Sequence, residues 1–324
     1  MRILSGIAPS GSIHIGNYLG AISQWKELQE IGECIFFIAD LHALTTPRNP
    51  KTFSQEMLNT AIELLAAGLN PEKCIIFIQS QVKEHTELCW LLNTITPVGE
   101  LERMTQYKEK SRRFKANINA GLLDYPVLQA SDILLYQTDS VPVGQDQKQH
   151  LELTKTIARK FNQKYGPTFK IPEVLLLETG AKIMALNDPE KKMSKSAPET
   201  CLFLFDEPEV IRKKIMSAVT DAGKTIKYDP VKKPGIANLL IIYSLFSDKP
   251  VSQIEKKFGK KGYAELKKSL AELLILKLEP FRRKKKELMA REVYVKEILE
   301  QGRKRAEVIA QSTMANVRKK MGLV

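Results

Sequence analysis

Three short apolar runs, each followed by a stretch with helical spacing, restrict this chain to an α/β architecture. Ile3 to Ile7 reads as a strand and passes into the turn Ala8-Pro9-Ser10-Gly11. Cys34-Ile35-Phe36-Phe37-Ile38 and Cys74-Ile75-Ile76-Phe77-Ile78 are apolar throughout, the pattern of strands covered on both faces. Helical spacing predicts a helix from about Asn17 to Glu30 that buries Leu19, Ile22, Trp25 and Leu28. Further helices are expected over Lys51–Ala67, stopped by Gly68, and over His85–Ile95. Such alternation implies a parallel sheet. After Leu177 the strand signal fades, and Pro208–Ala218, Gly235–Phe246, Val251–Phe258 and Tyr263–Gln311 read as helices. The polar stretch Met184–Pro198 reads as a loop joining the halves.

A length of 324 residues fits one large domain and a smaller one. No apolar run approaches the ~20 residues that span a bilayer. The first six residues enter a strand at once, with no signal or transit peptide, so the expected location is cytoplasmic. Cys34, Cys74, Cys89 and Cys201 are far apart and form no C-x-x-C pair, which argues against a zinc ribbon, an iron–sulfur cluster or a disulfide framework. The net charge is +13, and Lys256 to Arg291 holds thirteen basic against four acidic residues. Such a segment is either a solvated helical face or a polyanion-binding surface.

Two constellations carry chemistry. Pro9-Ser10-Gly11-Ser12-Ile13-His14-Ile15-Gly16-Asn17 lies between a strand and a helix, where free N–H groups and a helix dipole can meet a phosphate. Gly11 and Gly16 let the backbone come close, and His14 can donate to phosphate oxygen; a plain strand–turn–helix would look similar. Lys192-Met193-Ser194-Lys195-Ser196 offers two lysines three apart in a loop, suited to a clamp on triphosphate oxygens.

In this order, HIGN and KMSKS resemble the paired motifs of the class I aminoacyl-tRNA synthetases. The resemblance to the tryptophanyl-tRNA synthetases covers nearly the whole chain, including Gly99 to Gln106, Tyr125-Pro126 through Tyr136, Val141 to His150, Gly180 to Met184, Ala218 to Asp221 and Pro234 to Leu240. It implies a Rossmann-type parallel sheet with an all-helical C-terminal domain. It also implies ATP contacts at Ala8, Pro9, Ser10, Gly16, Asn17, Gly144, Gln145, Asp146 and Ile183, with loop contacts from Lys192, Met193, Ser194, Lys195 and Ser196. His14, Lys192, Lys195 and a phosphate-bound Mg²⁺ would balance charge in catalysis. Asp132 would accept the indole N–H, and Tyr125 and Gln147 would hold the substrate ammonium. His42 either lines the same pocket or is a satisfied loop histidine.

Ala8 stands where many relatives have Gln, Gln145 replaces an acidic residue, and Gln129 stands where many have Met. Tyr125-x-x-x-Gln129-x-x-Asp132 also resembles the tyrosyl-tRNA synthetase pattern, since a carboxylate accepts from a phenol O–H too. Spacings of four and three keep these side chains on one helix face. The long-range resemblance favours tryptophan over tyrosine; a catalytically silent RNA-binding paralogue is the rival from another class. The implied partners are L-tryptophan, tRNA(Trp) and a second copy of the chain, with Glu100 to Lys110 as interface. The expected domains are a catalytic domain over 1–190, a helical anticodon-binding domain over 191–290, and a C-terminal helix over 291–324 that can pack back on the first.

Overall fold

The computed structural model describes residues 1–108, 118–144, 147–176, 183–194, 197–223 and 225–324. Strands β1 (Arg2–Ile7), β2 (Glu33–Ile38), β3 (Cys74–Ile78), β4 (Ser140–Val143) and β5 (Glu173–Leu176) form a parallel sheet in the order β3-β2-β1-β4-β5. The chain builds outward from β1 to β3, then restarts on the other side with β4. The crevice at the carboxyl ends of β1 and β4 is therefore the topological switch point, where such sheets bind ligands.

The segment after β1 departs from a regular helix. A turn at Ile15–Asn17 leads into a π-helical stretch, Tyr18–Ile22, before α1 (Ser23–Leu28). Ile22, Trp25 and Leu28 are buried, but Leu19 is only half-buried. The wider π turn shifts its direction relative to the α-helical stripe.

Helices α2 (Asp40–Ala43), α3 (Pro50–Ala66), α4 (Glu84–Asn93), α5 (Val98–Glu102), α6 (Ala120–Leu135) and α7 (Lys148–Tyr165) accompany the sheet. The Asn49 side chain caps α3 by accepting from Lys51 N–H, Pro50 fills its first turn, and Gly68 follows at φ +112°. Asn119 caps α6 in the same way through Leu122 N–H.

The second half contains α8 (Pro208–Ser217), α9 (Pro234–Ser247), α10 (Val251–Phe258), α11 (Gly262–Met289) and α12 (Glu292–Met321). The stretch Tyr263–Gln311, read as helical, is carried by two helices that meet at Ala290-Arg291, where neither Gly nor Pro marks the stop. Pro280, by contrast, lies inside α11 without ending it. Its missing N–H frees the Leu276 carbonyl, and Leu276 faces solvent, which can satisfy that group.

Helix α12 lies over the edge strand β3. Val295, Ile298 and Leu299 join one core cluster with Cys74, Ile76 and Ile78, whereas Ala306, Ala310, Met314 and Val317 join the other with Ile75 and Phe77. The helix passes from one face of the sheet to the other at Gly302, where a Cβ would stand 1.9 Å from the Ile76 carbonyl oxygen. Arg305 Nη1 donates to the carbonyls of Cys74 (3.3 Å) and Pro71 (3.4 Å), so edge acceptors are used internally.

All four cysteines are free and buried. Burial pushes the Cys34 thiol up to about 11, and burial with the neighbouring Cys34 pushes Cys74 up to about 12. Both behave as small hydrophobes. Among the described residues, no helix is long and apolar enough to cross a membrane.

Candidate active site

A cavity of about 390 Å³ opens at the switch point, and β1, β4 and α6 supply much of its lining. Ala8 and Gly144 lie at its rim end of the strands, and His42, Tyr125, Gln129, Asp132 and Gln147 gather around it. Phe37 and Trp25 add aromatic surface. Gly6 has to be glycine because a Cβ there would come within 2.6 Å of the Phe37 ring. The volume and the mixture of aromatic surface with a few polar groups suit a small planar ligand.

Asp132 is the polar centre of this cavity. Its Oδ1 accepts from Gln79 Nε2 at 2.7 Å and pairs with His85 Nδ1 at 2.6 Å, while Oδ2 pairs with His42 Nε2 at 2.7 Å. His85 Nε2 lies 2.8 Å from the Tyr136 hydroxyl. Burial, then the charge on Asp132, raises the Tyr136 pKa, so this hydroxyl keeps its proton and donates to Nε2. The His85 proton then sits on Nδ1 and points at Asp132. An ionised carboxylate offers about four acceptor positions. Among the described residues three are taken, and the remaining one is on Oδ2.

Tyr125 is held similarly: its hydroxyl meets His150 Nε2 at 2.8 Å, and its ring meets His42 edge-on at 6.3 Å. Gln129 Nε2 reaches Gln147 Oε1 only at 3.5 Å, a weak contact. His42 therefore lines the pocket and is also bonded to Asp132, so both features read from the sequence meet in one residue.

The phosphate-type turn is a second cluster. His14 is buried, its Nδ1 accepts from Asn17 N–H at 3.1 Å, and Asn17 Oδ1 accepts from His14 N–H at 3.4 Å. Ile15 N–H donates to Leu202 O at 2.9 Å and Leu204 N–H to Ile13 O at 2.8 Å, so residues 202–204 bind the turn as an added strand would. A Cβ on Gly16 would meet the His14 ring at 3.0 Å and Ile183 at 3.6 Å, which places these three residues together. Ser10 N–H donates to Ala8 O at 2.8 Å, closing the bend around Pro9. The lysine loop is tied to the same place: Met193 N–H donates to Ile183 O at 3.0 Å and Ala185 N–H to Lys191 O at 2.8 Å. Met193 is the buried anchor of that small hairpin, while Lys192 and Ser194 are exposed. Gln145, Asp146, Lys195 and Ser196 lie outside the described residues.

The chain has four histidines, and all four belong to these two clusters. Reading the sequence singled out His14 and His42 but missed His85 and His150, together with Gln79 and Tyr136. The concentration of a scarce residue type was the available signal.

The family model for tRNA synthetases class I (W and Y) matches residues 1–279. A tryptophan–tRNA ligase from Caldanaerobacter subterraneus subsp. tengcongensis is 49% identical, the alignment covering 100% of this chain and 98% of the relative. The chain belongs to the tryptophan–tRNA ligase family. Two solved members agree with that placement. The tryptophanyl-tRNA synthetase of Mycoplasma pneumoniae matches with a TM-score of 0.88 at 37% identity, covering 100% of this chain and 98% of that one. The Campylobacter jejuni enzyme, solved with ADP and tryptophan, also scores 0.88 at 37% identity, covering 99% and 100%.

For a member of this family the state of Asp132 matters across the pH range. Burial by itself would raise its pKa, but the charge and hydrogen bond of His42 and the hydrogen bond of His85 outweigh burial and hold it down at about 2. Its ordinary value is 3.8, so the carboxylate stabilises the fold fully above about pH 4, and that contribution is lost as pH falls toward 2. The amount is about 2 kcal/mol. Urea unfolding of wild type and Asp132→Asn at pH 5, 3.5 and 2.5 should show wild type losing more stability on acidification. Parallel pH curves would show that Asp132 gains nothing from its two histidines.

Proposed function

We propose that the chain activates L-tryptophan with ATP to tryptophanyl-adenylate and pyrophosphate, then transfers the tryptophanyl group to tRNA(Trp). The observation that carries this reading is Asp132, a buried carboxylate with one acceptor position left on Oδ2, in a cavity at the strand ends beside the HIGN turn. The substrate carboxylate is ionised far above its pKa, so it attacks the α-phosphate without a general base. Its oxygen forms the new P–O bond as the bond to the β-phosphate oxygen breaks, and pyrophosphate leaves. A hydroxyl of the tRNA then attacks the carbonyl carbon and AMP departs. The protein's part is positioning and charge stabilisation.

In this reading Asp132 fixes the indole N–H, with Tyr125, Gln129, Gln147 and His42 shaping the amino-acid end. Ala8, Pro9, Ser10, Gly16, Asn17, Gly144, Gln145, Asp146 and Ile183 surround the nucleotide, and His14, Lys192 and Lys195 meet developing phosphate charge. Mg²⁺ would enter on the ATP phosphates and neutralise part of their charge; the turn and its lysines suit a metal carried by the nucleotide. We assign residues 1–190 to the catalytic domain, 191–290 to anticodon binding and 291–324 to the terminal helix, in a cytoplasmic homodimer. Exposed Val98, in the same short helix as Glu100 of the proposed Glu100–Lys110 interface, supports the dimer; residues 109–110 lie outside the described part.

For tRNA, the five consecutive bases Arg282 to Lys286 divide. Arg282 is buried and donates to the carbonyls of Ile275 (2.7 Å) and Asp206 (3.4 Å), and Lys285 Nζ is 2.6 Å from Glu63. Both are structural cations. Arg283, Lys284 and Lys286 are exposed and remain the candidates for phosphate contact.

ATP–pyrophosphate exchange with tryptophan and tyrosine side by side tests the reading. Exchange should depend on tryptophan and be far weaker with tyrosine. Equal or better exchange with tyrosine would overturn the substrate assignment.

A further inference from the structure

Glu63 has no part in the scheme above, yet it touches the centre of it. The residue sits on α3, is buried, and its carboxylate receives three donors. Ser12 Oγ donates at 2.5 Å and Ile13 N–H at 2.8 Å, while Lys285 Nζ on α11 approaches to 2.6 Å. The first two donors are the residues immediately before His14. The third comes from the helical half. Lys285 also lies 4.6 Å over the Phe205 ring, and one turn earlier Phe281 meets the Tyr18 ring edge-on at 5.1 Å. Helix α11 therefore reaches the HIGN segment at two points, one ionic through Glu63 and one aromatic through Tyr18.

Bonding two successive residues of a turn to one carboxylate fixes both the path and the tilt of its backbone. The groups that follow, His14 and the N–H groups up to Asn17, inherit that setting. Phosphoryl transfer depends on such placement, and an error of 1 Å can cost on the order of a hundredfold in rate. Glu63 can serve only as a buried anion with a cation beside it, because an uncompensated buried charge is strongly unfavourable. Lys285 is that cation.

We propose that Glu63 is a positioning residue for adenylation and that Lys285 holds it in place, making the pair a strut between α11 and the nucleotide turn. This rests on the functional reading above for its assay. A simple fold clamp would lower stability and all kinetic parameters together; a strut acts on ATP and spares tryptophan, because among the described residues the Asp132 cluster shares no hydrogen bond with Glu63.

The experiment compares full-length wild type, Lys285→Met, Lys285→Arg and Glu63→Gln. Lys285→Met should lower kcat/KM for ATP in pyrophosphate exchange by about tenfold or more, with KM for tryptophan within about twofold of wild type. Lys285→Arg should recover most of the loss, and Glu63→Gln should fall in the same direction as Lys285→Met. ATP affinity, measured by calorimetry with no amino acid present, should weaken in Lys285→Met whichever amino acid the chain activates. That readout separates failure of the strut from failure of the tryptophan assignment. Unchanged ATP parameters in Lys285→Met, or ATP and tryptophan parameters falling in parallel with Tm, would overturn the proposal.

Discussion

Asp132→Asn is expected to lower kcat/KM for tryptophan by about a hundredfold or more in pyrophosphate exchange, on the order of 3 kcal/mol. The substitution is nearly isosteric, so cavity shape is preserved. It removes the negative charge toward which His42 and His85 are hydrogen-bonded, and it turns one acceptor oxygen into a donor NH₂. The single acceptor position on Oδ2 disappears if the amide nitrogen faces the cavity. If instead the oxygen faces the cavity, the NH₂ opposes Gln79 Nε2 and the His85 N–H, leaving buried donors facing each other. Either orientation is unfavourable, and the loss is largest with substrate bound. A tryptophan isostere with sulfur in place of the indole N–H supplies the control. Wild type should discriminate strongly against it, and Asp132→Asn should discriminate far less. Equal use of both compounds by wild type would remove Asp132 from substrate recognition.

The second large effect is on folding. Gly302→Ala in an ordinary helix interior would raise stability by about 1 kcal/mol. Here the added methyl would stand 1.9 Å from the Ile76 carbonyl oxygen and 2.7 Å from its carbon. These are backbone atoms of a sheet strand, so α12 must move instead. Moving it loosens Ala306, Ala310, Met314 and Val317 on one face and Ile298 and Leu299 on the other. The expected cost is about 3 kcal/mol, a fall in Tm of roughly 5–10 °C. A Tm equal to or above wild type would mean that α12 does not rest on β3 as described.

Much of this was legible in the sequence because the signals were local. The all-apolar runs at Cys34 and Cys74 specify buried parallel strands, and HIGN and KMSKS lie in chain order on either side of them. The Tyr125, Gln129 and Asp132 face follows from helical spacing alone. What stayed hidden was non-local. Nothing near Glu63 announces Lys285, 222 positions away. The role of His85 depends on β3 and α6 bringing Gln79 and Asp132 together. Helical geometry says that five consecutive bases cannot all face one way, but not that Arg282 and Lys285 are the two that turn inward and become structural.

The placement of α12 over β3 also has a consequence for how the protein is made. At 5–20 residues per second, residue 292 is added about 10–40 s after residue 78. During that interval a nascent sheet displays β3 as an open edge, with Cys74 and Ile76 lacking the cover of α12 and the Cys74 and Pro71 carbonyls lacking Arg305. That is long on the timescale of sheet pairing and chain collapse. The unfinished chain therefore presents a sticky strand to its neighbours on a polysome, and the late helix is the segment that ends the exposure. Chaperone capture and aggregation should both be concentrated in this window of translation.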